Sequence, residues 1–147
     1  MTQPIHFTHA NGIPSASYQK FFQAFGAGYN VKAIPLIGMN AEFPVTYRWT
    51  HLVDQVIQDI QQQFPNQQVI GLGHSFGSLV TLMCAYKRPE LFSQLVIMDP
   101  PFVIGGKSAI FEGLQKLKLK AADKITPAGI TLKRKDHWPN REKAYQS

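Results

Sequence analysis

The chain has 147 residues, of which 44% are hydrophobic and 16% are charged. This balance is typical of one soluble domain with a buried core, and it excludes a chain that is disordered throughout. The single cysteine, Cys84, excludes an internal disulfide and a zinc site built on several cysteines. The first residues lack the basic and apolar segments of a signal peptide, and no apolar run approaches the ~18 residues of a transmembrane helix. We therefore expect a cytoplasmic protein that does not bind membranes.

The net charge of +6 is concentrated in one part of the chain. Residues 1–101 carry five basic and five acidic side chains, whereas residues 102–147 carry ten basic and four acidic ones. This asymmetry predicts two regions with different roles and a boundary between residues 101 and 102. It gives only weak support for a polyanionic partner, because no aromatic residues alternate with the lysines of residues 116–120. We expect no nucleic-acid binding.

Residues 1–101 alternate short apolar runs with amphipathic stretches, which is the βαβα pattern of a parallel sheet flanked by helices. We predict a first strand over residues 5–9, a helix over residues 17–25 and a second strand over residues 31–37. A loop over residues 38–47 follows, with Pro44 and no clear period.

The clearest helix covers residues 49–64, where apolar side chains recur at helical spacing. Its predicted buried face consists of Leu52, Val53, Val56, Ile57, Ile60 and Phe64. Its predicted exposed face includes Gln55 and Asp59. A third strand over residues 68–72 is apolar on both faces, which favours the interior of the sheet. A helix over residues 76–87 and a fourth strand over residues 95–98 follow, and a basic amphipathic helix is predicted over residues 112–122.

The pentapeptide Gly73-His74-Ser75-Phe76-Gly77 lies where the third strand turns into its helix, and it matches the G-x-S-x-G pattern of a nucleophile elbow. There the serine is strained at the tip of the turn, and small residues on either side let the strand and helix approach closely. We predict Ser75 as a nucleophile and the amide of Phe76 as an oxyanion donor. The alternative is an N-cap serine in a Rossmann-like turn, although the glycine spacing of the dinucleotide fingerprint is incomplete.

Over about residues 4–101 the order of motifs resembles the α/β-hydrolase family. The resemblance is carried by His9-Ala10-Asn11-Gly12 at the end of the first strand, by the pentapeptide, and by Asp99-Pro100 after the fourth strand. It implies an incomplete α/β-hydrolase-like core over residues 1–101 and a truncated basic cap or lid segment over residues 102–147. It also implies that the amide of Asn11 is the second oxyanion donor. Residues 136–142 resemble a piece of the cap of some bacterial members.

The family order of nucleophile, acid and histidine is only partly present. We expect the chain to end before the later strands, so the general base is predicted to lie outside these residues. Ser75, Asp99 and His137 nevertheless follow the order of a triad and form a candidate set, although His137 falls in the segment that resembles the cap. Asp99 has a second interpretation, a turn residue that accepts backbone amides before Pro100.

These observations favour a serine hydrolase that acts on a small ester or related acyl compound and uses no metal or organic cofactor. The alternative is a non-catalytic remnant of the fold, or a binding module, that lacks a complete triad. Among the histidines, His9 is predicted to brace the loop that carries Asn11, and His74 to line the sheet or form a hydrogen bond in the core. His6 and His51 have no evident partner in the sequence.

Overall fold

The computed structural model describes residues 2–101, 139–140 and 142–143. The chain divides into two units, Met1–Phe102 and Val103–Ser147, close to the predicted boundary. The elements described below belong to the first unit. The predicted basic helix and His137 lie outside the described residues, so the assignment of residues 102–147 as a cap stays a prediction. Within the described ranges, no helix combines the length and the apolar character that crossing a bilayer requires.

Four strands form the sheet of the described residues: β1 (Gln3–Thr8), β2 (Tyr29–Ala33), β3 (Val69–His74) and β4 (Phe92–Met98). They pair in parallel in the order β2-β1-β3-β4, which confirms the predicted parallel sheet and the interior position of the third strand. β2 ends earlier than predicted because Pro35 has no N–H to donate to the sheet. The carbonyl of Pro35 instead accepts a hydrogen bond from the Ser15 amide at 3.2 Å.

Helices α2 (Thr50–Gln63) and α3 (Phe76–Lys87) cover one face of the sheet. Every member of the predicted buried face of residues 49–64 is buried. All of them except Leu52 belong to one core cluster with Val80 and Cys84 of α3 and with Val69 of β3. Because α2 presents a continuous apolar stripe to the sheet, its position was predictable from helical spacing alone.

Two polar side chains of α2 differ from the prediction. Gln55, predicted on the exposed face, is buried: its Nε2 donates to the carbonyl of Leu36 at 3.1 Å, and its Oε1 accepts from the amide of Gly38 at 3.3 Å. Asp59 lies 2.8 Å from Nε2 of His6, so that histidine has a partner after all. Both contacts join α2 to strands or loops that are distant in sequence.

An aromatic cluster covers the opposite face of β1. The residues predicted as one helix form a 3-10 helix over Ser15–Tyr18 that continues into the short α1 (Gln19–Gln23). The Phe7 ring centroid lies 4.7 Å from that of Tyr18 and 5.1 Å from that of Phe22. α1 ends before residue 25 because the amides of Ala24 and Phe25 turn to i−3 acceptors, which tightens the last turn.

Candidate active site

The carboxyl ends of β1, β3 and β4 bring three of the predicted site segments to one edge of the sheet. Thr8 is in register with Gly73, and His74 is in register with Met98. The loop with Asn11, the turn with Ser75 and the exposed Asp99 therefore leave the sheet at the same edge. In open parallel sheets this is where ligands bind.

Ser75 connects β3 to α3 through a strained backbone, with φ 51° and ψ −119°. A non-glycine residue in such a region costs about 1–3 kcal/mol and persists only where the surroundings enforce it. Here the Ser75 amide donates to the carbonyl of Met98 at 2.9 Å, which fixes the turn against β4. Ser75 stands at the N-cap position of α3, yet its hydroxyl makes no capping hydrogen bond. The alternative interpretation as an N-cap serine requires that bond.

The glycines on either side of Ser75 are required by backbone packing. A Cβ atom on Gly73 would lie 2.6 Å from Cα of Ser78. A Cβ atom on Gly77 would lie 2.1 Å from the carbonyl oxygen of Thr8. Real Cβ atoms do not approach other heavy atoms this closely, so the turn is built on direct contact between the backbones of β3, α3 and β1. The structure thus explains why small residues occupy these two positions.

Ser78 stabilises the turn through hydrogen bonds on its buried side. It is fully buried, and its Oγ lies 2.7 Å from the carbonyl oxygens of both Gly73 and Met98. Its single proton is shared between these two acceptors. Ser78 was not predicted from the sequence; the available signal was a small polar residue directly after the pentapeptide on the buried side of a helix.

His9 holds the loop that follows β1. Its Nε2 accepts a hydrogen bond from the Ile37 amide at 3.0 Å, so in the neutral ring the proton is on Nδ1, which donates to the carbonyl of Ala10 at 2.8 Å. Burial lowers the pKa of His9 below its usual value, although the bond to Ala10 offsets part of this effect. The neutral ring is the form that this pair of bonds needs. His9 therefore braces the loop, as predicted.

The bracing by His9 also orients the predicted oxyanion donor. The carbonyl of Ala10 accepts a second bond from the Ile13 amide at 3.1 Å, which closes a turn. The carbonyl of Ala10 and the N–H of Asn11 belong to one peptide unit, and no described peptide bond is cis. The Asn11 N–H therefore points away from the carbonyl that His9 holds. That this amide and the Phe76 amide bind one oxyanion stays a prediction.

Tyr18, which was not predicted as a site residue, connects the loop after β1 to the turn that carries Ser75. The hydroxyl of Tyr18 accepts from the Ala10 amide at 3.2 Å and lies 2.8 Å from Nδ1 of His74. Of the two alternatives predicted for His74, the hydrogen bond inside the fold is therefore observed. The contact joins residues 56 positions apart, so no local sequence pattern could indicate it.

Trp49 packs beside the residue that follows Ser75. Its ring centroid lies 5.1 Å from that of Phe76, with the two rings nearly perpendicular. Arg48 and Trp49 both have left-handed backbones, with φ 64° and 55°. Consecutive non-glycine residues in this region are costly and concentrate at functional sites. Trp49 is therefore a candidate wall of the site, in a position that the sequence analysis did not assign.

No described histidine is hydrogen-bonded to the hydroxyl of Ser75. His6 is paired with Asp59, His9 and His74 have the partners given above, and His51 is exposed on α2. Cys84 is no competing nucleophile, because burial raises the pKa of its thiol to about 12. Asp99 leaves β4 with a left-handed backbone, φ 47°, while His137 lies outside the described residues. The candidate triad of Ser75, Asp99 and His137 stays a prediction.

Two curated enzymes resemble the chain. The type I acyl-CoA thioesterase mpaH of Penicillium brevicompactum is 27% identical over 156 residues, which cover 95% of this chain and 34% of that enzyme. The monoglyceride lipase of Mus musculus is 32% identical over 82 residues, which cover 56% of this chain and 26% of that enzyme. The chain thus spans about a third of the length of these relatives, or less.

Solved structures confirm the predicted fold. The thioesterase domain from the curacin biosynthetic pathway superposes with a TM-score of 0.61 at 22% identity, covering 80% of this chain and 43% of that one. Polyneuridine aldehyde esterase gives 0.57 at 19% identity, covering 97% of this chain and 55% of that one. The family model described as serine aminopeptidase, S33, matches residues 5–147. The chain therefore belongs to the S33 serine aminopeptidase family and has part of an α/β-hydrolase fold.

Proposed function

We propose that Ser75 is the nucleophile of a serine hydrolase that cleaves a small ester or a related acyl compound. The observation that carries this proposal is the backbone of Ser75, held at φ 51° and ψ −119° between two glycines that packing requires. This conformation is the one that projects a serine hydroxyl above the sheet, free for attack on a carbonyl carbon. A serine used only to cap a helix needs no such strain.

In the proposed mechanism, Ser75 Oγ attacks the carbonyl carbon of the substrate and its proton passes to a general base. The negative charge that develops on the carbonyl oxygen is stabilised by the amides of Phe76 and Asn11. Phe76 is the first residue of α3, so its amide has no acceptor within the helix. The base then protonates the leaving group, and water releases the acyl group from Ser75.

The relatives support an acyl substrate. One is named as an acyl-CoA thioesterase and another as a monoglyceride lipase. Thioesters and glycerol esters share a carbonyl carbon that a serine hydroxyl can attack, with a thiol or an alcohol as the leaving group. A substrate of this chemical class suits the nucleophile and the two oxyanion donors proposed above.

The general base has two candidate sources. One is His137, oriented by Asp99, which would complete a triad within the chain. The other is a histidine from outside these 147 residues. In the second case the isolated chain is a module that carries the nucleophile but lacks a complete triad, which is the non-catalytic alternative. The two cases differ in the reactivity of Ser75 in the purified chain.

The test is the intact mass of the 147-residue chain after incubation with a fluorophosphonate probe. If the base lies within the chain, we expect one adduct per chain, lost in Ser75→Ala and retained in Ser93→Ala, which removes an exposed serine hydroxyl on β4. Loss of the adduct in His137→Ala would then place the base within the chain. A chain without any adduct is expected if the base lies outside these residues, and it favours the non-catalytic alternative for the isolated chain. An adduct retained in Ser75→Ala would overturn the assignment of Ser75 as the nucleophile.

A further inference from the structure

We propose that Tyr18 is a positioning residue that ties the loop carrying the Asn11 amide to the elbow carrying Ser75. The inference rests on the proposed function, because its value for catalysis depends on Ser75 being the nucleophile. It assigns a role to a side chain on the 3-10 helix that follows the loop, outside the pentapeptide and outside the candidate triad.

The Tyr18 hydroxyl can accept a hydrogen bond on one side and donate one on the other. The Ala10 amide can only donate, so the Tyr18 oxygen is its acceptor at 3.2 Å. The hydroxyl proton of Tyr18 is then free for Nδ1 of His74, which lies 2.8 Å away. If the hydroxyl donates this proton to Nδ1, a neutral His74 carries its own proton on Nε2. The result is a directed chain from the Ala10 amide through the Tyr18 hydroxyl to the His74 ring.

The two ends of this series of hydrogen bonds are adjacent in sequence to the predicted catalytic groups. Ala10 immediately precedes Asn11, and His74 immediately precedes Ser75. The paired register of β1 and β3 ends at Thr8 and Gly73, so the Tyr18 hydroxyl continues the connection past the edge of the sheet. This connection acts together with the backbone contact between Gly77 and Thr8 to set the distance between the Asn11 and Phe76 amides, which follow different strands.

The position of the hydroxyl is itself fixed by packing. The centroid of the Tyr18 ring lies 4.7 Å from that of Phe7 and 6.2 Å from that of Phe22. It lies 5.7 Å from the centroid of the His74 ring, which it meets edge-on. A rigid aromatic ring in such a cluster holds its hydroxyl at low entropic cost, which is how a supporting residue preorganises a site. Removing the hydroxyl alone leaves this ring packing in place.

The test compares Tyr18→Phe with Tyr29→Phe, a matched control that removes a hydroxyl from a more exposed tyrosine on β2. Both variants are made in the full chain. NMR spectra report the ring nitrogens of His74 and the backbone amides of Asn11 and Phe76. The rate of fluorophosphonate adduct formation and the unfolding temperature are measured on the same samples.

In the unmodified chain we expect His74 to carry its proton on Nε2. Tyr18→Phe is expected to shift the His74 ring nitrogens and both amides, and to slow adduct formation by about 10- to 100-fold, below the ~10²–10³-fold effect of deleting an oxyanion donor. Tyr29→Phe is expected to change neither these NMR signals nor the rate of adduct formation. If Tyr18 had a purely structural role, Tyr18→Phe would lower the unfolding temperature without shifting the NMR signals of both amides.

The inference is overturned if Tyr18→Phe leaves either amide in place, or if it slows adduct formation no more than Tyr29→Phe does. If the unmodified chain forms no adduct, the proposed function of the isolated chain fails, and the NMR comparison alone decides the role of Tyr18. Shifts of both amide signals in Tyr18→Phe then support the proposed connection, and unchanged amide signals refute it.

Discussion

Gly77→Ala tests whether the elbow depends on direct backbone contact between α3 and β1. The added methyl group would lie 2.1 Å from the carbonyl oxygen of Thr8 and 2.5 Å from that of His9. Both oxygens belong to the backbone at the end of a central strand, so no side-chain rotation can relieve the overlap. Either α3 moves away from β1 or the loop that follows Thr8 is displaced.

Two opposing effects set the size of the change. Alanine inside a helix is favoured over glycine by about 1 kcal/mol. Overpacking a well-packed interior costs about 1–3 kcal/mol, and a backbone overlap of this depth belongs at the upper end. The clash is therefore larger than the gain in helix propensity. We expect Gly77→Ala to lower the free energy of unfolding by about 2 kcal/mol or more.

Urea denaturation of the 147-residue chain, followed by circular dichroism, measures this change. Gly26→Ala is the matched control, because a Cβ atom there would meet nothing within 4 Å. The control is expected to stay within about 0.5 kcal/mol of the parent, as is usual for exposed sites. If both variants unfold at the same urea concentration, the argument from backbone contact is wrong.

Four further predictions follow from the same contacts. Ser75→Gly is expected to raise the free energy of unfolding by about 1 kcal/mol, because glycine tolerates this backbone, and to abolish phosphonate labelling; a destabilised variant would argue against strain. Ser78→Ala is expected to lower that free energy by about 1–2 kcal/mol in urea denaturation, whereas the exposed Ser93→Ala should not change it. The pKa of His9 is lowered by burial from 6.5, so below about that pH the unfolded chain binds a proton that the native chain does not. Stability should therefore fall as the pH falls below 6.5, and His9→Gln should remove that part of the pH dependence. The buried Cys84 thiol, with a pKa of about 12, should escape iodoacetamide at neutral pH in the native chain and react in urea, as intact mass will show.

Elements with an uninterrupted period were predictable from the sequence. The bounds of α3 agree with the prediction, and α2 differs from it by one residue at each end. α2 buries a continuous apolar stripe, so helical spacing identifies it, whereas the buried residues of α3 include Gly77, Ser78 and Thr81. The 3-10 start at Ser15 was not predictable, because the Ser15 amide donates to the carbonyl of the distant Pro35. The early end of β2, in contrast, has a local cause in Pro35 that the sequence already contained.

The same division holds for the site. The pentapeptide and its place between a strand and a helix indicate the elbow directly, since its chemistry is local. The contacts of Tyr18, His9 and Gln55 were partly or wholly missed, because each joins residues that are adjacent only after the sheet has formed. Gln55 shows the physical reason most clearly: a polar residue at an exposed helical phase is buried where a loop offers it two backbone partners.

Stability alone does not account for a serine at position 75. Its backbone is one that glycine would adopt without strain, while serine costs about 1–3 kcal/mol there. Close packing at Gly73 and Gly77 and the hydrogen bonds of the buried Ser78 hold that backbone in place. The hydroxyl of Ser75 makes no capping hydrogen bond with α3. A module that only binds an acyl ligand needs the shape of this edge but not the hydroxyl, so glycine at 75 would serve it better. The strain at Ser75 therefore argues for chemistry at this hydroxyl over binding alone.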